Sequence, residues 1–86
     1  MPRLDFDPVK NGANLRKHGI SLERFGDMDF AAALVAQDVA HSTAAETRWI
    51  YLGPIDGVLH VGIVTYRGDV TRVISLRRAS RNERKQ

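Results

Sequence analysis

The chain has no cysteine, one tryptophan and only three prolines in 86 residues. Without thiols it can form neither disulfides nor thiolate metal sites. Stability therefore rests on one small core, because a chain this short buries only about 60–65% of the surface its unfolded form exposes. No stretch approaches the ~20 apolar residues of a membrane-spanning helix. The N-terminus, MPRLDFDP, is short and acidic where a secretion signal would be apolar. These absences predict a soluble, cytoplasmic protein with no membrane association. Three histidines are present (His18, His41 and His60), and nothing in their spacing suggests a metal site. There is no HExxH, EF-hand loop, phosphate-binding glycine loop or serine-nucleophile motif. Neither a metal nor a cofactor is expected.

What is present is a folded composition, 43% hydrophobic, with unevenly placed charge. Residues 1–66 hold six basic and eight acidic side chains, whereas residues 67–86 hold seven basic and two acidic. Ten of the thirteen basic residues are arginine, which suits two-pronged phosphate contacts better than lysine does. An arginine-rich C-terminal part points to a polyanion or an acidic partner.

The pattern along the chain predicts a single α+β domain over residues 1–86. A short strand is expected at residues 3–6. Asp7 and Pro8 then read as the N-cap and first residue of a helix running to about His18. Val9, Ala13 and Leu15 or Arg16 mark its inner stripe. Gly19 suits the left-handed residue after the helix, and Arg16, Lys17 and His18 suit its last turn. Ser21 reads as the cap of a second helix of about ten residues that buries Leu22, Phe25 and Phe30. Residues 33–38 fit either a strand or the end of that helix, and residues 39–46 a loop.

From Thr47 the runs TRWIYLG, VLHVGIVTY and VTRVISLR are β-rich. Asp56-Gly57 and Gly68-Asp69 join them as tight hairpins. A three-stranded antiparallel meander results, with the apolar middle strand central and the helices packed on one face. In the last strand, alternation groups Thr71, Val73, Ser75 and Arg77 on the more open face. Ser80 and Glu83 form a capping box for one final turn.

The chemistry these residues allow is metal-free phosphodiester cleavage. RNA supplies its own nucleophile, the 2′-OH, so a protein need offer only proton transfer and cations for the developing charge. His18 can move a proton near neutral pH. Arg48, Arg67, Arg72 and Arg77 can clamp phosphate. Tyr66 and Trp49 can stack on bases. His60 is expected to pack within the sheet.

Two stretches carry a resemblance. FDPVKNGANLRKHGISLE at residues 6–23 and VTYRGDVTRVISLRRASRNE at residues 64–83 resemble the N- and C-terminal signatures of the BrnT toxins. These are ribonucleases of type II toxin–antitoxin pairs. The resemblance implies a RelE-like domain with a basic active surface and metal-independent RNA cleavage. It also implies a cognate DNA-binding antitoxin of the BrnA kind. Its members have a fuller C-terminal helix than the one turn read here. Catalytic candidates are His18, Arg48, Tyr66 and Arg77. RNA-binding candidates are Lys17, Arg67, Arg72 and Arg78. The competing expectation is a non-catalytic nucleic-acid-binding or protein-interaction module that uses the same basic surface.

Overall fold

The computed structural model describes residues 3–85; Met1, Pro2 and Gln86 lie outside the described residues. It is an α+β domain with one main helix and one five-stranded, mostly antiparallel sheet. The strands are β1 (Arg3–Asp5), β2 (Leu34–Gln37), β3 (Arg48–Ile55), β4 (Val58–Arg67) and β5 (Val70–Arg78), and the helix is α1 (Pro8–His18). The sheet order is β1-β5-β4-β3-β2, which puts the apolar β4 in the centre. The sheet is thus wider than expected. Residues 34–37 resolve as an antiparallel edge strand, and β1 adds to β5 in parallel at the opposite edge.

Hairpin turns set the register of the middle strands. Asp56 and Gly57 both have positive φ, 51° and 77°, which matches the right-handed strand twist. Gly68 makes the next turn with φ 63°. Between Ile63/Val64 of β4 and the facing stretch of β5 the register shifts through a bulge. This overturns the simple alternation read for β5. Thr71 and Val73 are buried and face the core together with Leu76. Ser75 and Arg77 pair with Ile63 and Val61 on the opposite face. One extra residue in the strand, Ile74, puts Thr71 and Val73 on the inner face, while Leu76 stays inward and Ser75 and Arg77 outward as expected.

The core lies between this inner face and a stretch of 3-10 turns. Leu22, Phe25 and Met28 pack on Ile55, Val64, Val73 and Leu76. Phe25 fits because position 62 is glycine: a Cβ there would lie 2.7 Å from the Phe25 ring. The expected ten-residue second helix is absent. Its place is taken by two short 3-10 segments, Leu22–Asp27 and Phe30–Ala32, separated by extended Met28 and Asp29. Gly26 weakens the helix, and Asp29 N–H bonds the Pro54 carbonyl at 2.9 Å, which ties the backbone to the end of β3.

α1 has the expected limits. Asp7 Oδ1 accepts from Val9 N–H, and Gly19 closes the helix with φ 72°. Its buried side is not the expected apolar stripe, however, for Val9 and Leu15 are 79% and 50% exposed. The buried residue is Asn14. Its Nδ2 donates to Ile20 O and Leu76 O, both at 2.8 Å, and its Oδ1 accepts from Leu76 N–H at 3.2 Å. β1 pairs with β5 only over residues 70–72, so the later part of that edge lacks a strand. One carboxamide satisfies both backbone groups of Leu76 there. α1 therefore docks along the edge of β5, and the 3-10 segments cover the face.

Candidate RNA-binding and catalytic surface

The bulge and the α1 docking bring the two ends of the sequence together. His18 ends α1, with Lys17 before it, and both line a shallow groove of about 230 Å³ with Ile74 and Ser75 of β5. Arg77 lies close enough to act on the His18 charge. Partial burial, then Lys17, then Arg77 hold the His18 imidazole below its ordinary value of 6.5. At neutral pH it is uncharged and able to accept a proton. The other histidines are engaged structurally. His60 is buried and donates from Nδ1 to Val58 O at 2.7 Å. His41 pairs with Asp38 at 2.9 Å.

Arg77 is held by Glu83, a residue the candidate set did not include. Nη1 and Nη2 donate to the two Glu83 carboxylate oxygens at 2.7 and 2.8 Å. Glu83 Oε1 also accepts from Ser80 N–H, and Glu83 N–H donates to Ser80 Oγ, so the capping box forms. The Arg77 guanidinium, with those backbone bonds, lowers the Glu83 carboxyl from 4.5 to about 2. The pair uses the outer fork of Arg77. Its side fork, Nε–H with the second Nη2–H, has no protein partner among the described residues. That fork fits two phosphate oxygens. The capping-box spacing in the sequence was the signal that Glu83 would be fixed near β5.

Three of the remaining candidates form a second group at the far end of the strands. Arg48 and Arg67 share the Glu46 carboxylate, at 3.2 and 3.4 Å. Arg72 pairs with Asp5 of β1 at 2.5 Å. Arg72 and Arg77 are five residues apart on β5, so about 15 Å of strand separates the groups. Tyr66 and Arg78 lie on the core face: Tyr66 pairs with Thr71 and Arg78 with His60. Burial, then the hydroxyl bond to Tyr51, raises the Tyr66 phenol above its ordinary value. It stays protonated at neutral pH. The structure thus brings Lys17, His18 and Arg77 together, and separately Arg48, Arg67 and Arg72. It does not gather all eight at one point. Among the described residues, no group of three or more metal-ligating side chains forms, and no helix is long and apolar enough to cross a membrane.

No curated protein matches the sequence. A family model described as the ribonuclease toxin BrnT of type II toxin–antitoxin systems matches residues 6–83, nearly the whole chain. The matched span includes both basic groups and the Arg77–Glu83 pair, and the chain belongs to the BrnT family of ribonuclease toxins.

Proposed function

We propose that this protein is the toxin of a type II pair and an endoribonuclease that cleaves RNA without a metal, inhibiting translation and growth in the cytoplasm. The domain is then RelE-like, its sheet carrying a basic active surface. The observation that carries this reading is the groove where neutral His18 and Lys17 lie together, with Arg77 near enough to lower the His18 value and its side fork unpaired among the described residues. His18 accepts the proton of a 2′-OH. The 2′-oxygen forms a bond to the adjacent phosphorus while the bond to the 5′-oxygen breaks. That oxygen takes a proton from water, leaving a 2′,3′-cyclic phosphate and a 5′-OH. Arg77 and Lys17 stabilise the charge on the phosphorane. Arg48, Arg67 and Arg72 hold backbone phosphates further along the strand, and Arg78 contacts RNA from the other face. The partner is a cognate antitoxin of the BrnA kind, with a DNA-binding domain.

The test is incubation of the purified protein with RNA in EDTA, followed by end-group analysis. Cyclic phosphate ends are expected. His18→Ala lowers the rate by roughly 10²–10⁴-fold, the usual contribution of a positioned base. Because the His18 value lies below 6.5, the acid limb of the rate profile falls below pH 6.5 in the wild type and disappears in the variant. Unchanged cleavage by His18→Ala would remove His18 from the mechanism. No cleavage by a folded wild type would favour a binding role.

A further inference from the structure

Beyond the two basic groups, a depression walled by aromatic rings lies on the core face. Its walls are Leu4, Phe25, Phe30, Tyr51, Tyr66 and Thr71, and its volume is about 320 Å³. The floor is a row across three strands, Leu4 on β1, Thr71 on β5 and Tyr66 on β4. Phe25, Phe30 and Tyr51 brace one another edge to face, with centroids 5.2–6.0 Å apart. Tyr66 is outside that triad and 45% exposed, and its hydroxyl bonds that of Tyr51. Among the described residues, none that lines the slot carries a charge.

A second, more polar hollow of about 240 Å³ adjoins it and shares Tyr66 as a wall. Glu46, Thr47, Trp49 and Arg67 line it. A neutral, flat-sided slot thus opens beside a cation, Arg67, whose side chain is 60% exposed. This pairing of an uncharged ring site with an adjacent phosphate site has the charge layout of a nucleotide.

We propose that the Phe30–Tyr51–Tyr66 slot is a subsite for one unstacked RNA base, whose phosphate lies on Arg67. The inference rests on the RNA reading above and deepens it. Only a base freed from a helix can enter, so the slot selects single-stranded RNA. From the slot the RNA passes over the end of β4 to Arg67 and Arg72, which share the face opposite the slot. The slot is therefore remote from His18 and sets where the RNA sits, while His18 and Arg77 act on the bond. Tyr66 contributes its ring rather than a proton.

The experiment uses a short 2′-O-methyl RNA, which has no nucleophile and cannot be cleaved, with Trp49 fluorescence as the signal. Trp49 is the chain's single tryptophan, and its ring lies 6.5 Å from that of Tyr66. An abasic site is moved along the RNA one position at a time. One position is expected to weaken wild-type binding by about 5- to 100-fold, the loss of one stacked base. The same abasic RNA should cost Tyr66→Leu nothing, because that variant keeps apolar volume without the ring. Tyr66→Phe should regain the wild-type penalty. RNA binding with no sensitive position, or an equal penalty in Tyr66→Leu, overturns the subsite and leaves the ribonuclease reading intact. Base-dependent binding by a wild type that cleaves no RNA in EDTA sinks the ribonuclease reading alone. Absence of any RNA binding ends both.

Discussion

At the residue scale, the side chain that fixes the site is a neutral amide. Asn14 places α1, and α1 ends in Lys17 and His18. Replacing Asn14 by Ala leaves Leu76 N–H, Leu76 C=O and the Ile20 carbonyl without that partner. A cost of about 2 kcal/mol or more is expected, or roughly 10 °C in melting temperature for a domain of this size. Asn14→Asp gives a sharper check. It preserves shape but turns an oxygen toward the Leu76 and Ile20 carbonyls in place of the donating nitrogen. It should destabilise at least as much as Ala, and a thermal melt as stable as wild type would show that the amide does not bridge as described. None of this was legible in the sequence. A helix with a weak apolar stripe is read by its few apolar residues, and Val9 and Leu15 are exposed. The helix limits were legible, because Asp7, Pro8 and Gly19 act through local backbone chemistry alone.

At the element scale, the C-terminal turn and β5 act as one unit through Arg77 and Glu83. The sign of its pH dependence follows from the lowered Glu83 value. The unfolded carboxyl titrates near 4.5 and the folded one near 2. The stabilisation is therefore complete above pH 4.5 and is lost as pH falls through about 2. His18 acts in the same direction at higher pH: its folded value is depressed, so its contribution is lost as pH falls below 6.5. Glu83→Gln should lower stability above pH 4.5 and converge with wild type near pH 2, measured by urea unfolding across that range. Parallel curves with a constant offset would mean that the ion pair is not the source. The turn was legible as Ser80 followed by Glu83. Simple alternation points Ser75 and Arg77 outward, as they are, but it also puts Thr71 and Val73 on that face, and both are buried. A bulge depends on pairing with β4, and no local pattern in β5 announces it.

At the scale of the whole molecule, the net charge of +3 overstates the field that RNA meets. The C-terminal stretch looks strongly basic by count, yet Arg67, Arg72 and Arg77 pair with Glu46, Asp5 and Glu83. Asp5 and Arg72 are 67 positions apart, which is why the sequence alone did not reveal the pairing. Such partly exposed pairs are individually weak, so a phosphate can share or displace them. If Lys17, Arg67, Arg72 and Arg77 each take one phosphate, log affinity for single-stranded RNA should fall against log salt with a slope of about −3. Glu46 is the most informative carboxylate to remove, since it restrains two arginines at once. Glu46→Gln should tighten RNA binding at low salt and steepen that slope by about 1. Its effect should vanish at high salt, where the phosphate term is screened. A salt titration of both proteins against one uncleavable RNA measures this directly. An unchanged slope would mean that Arg48 and Arg67 do not meet the RNA backbone, and would leave Lys17, Arg72 and Arg77 as its phosphate contacts.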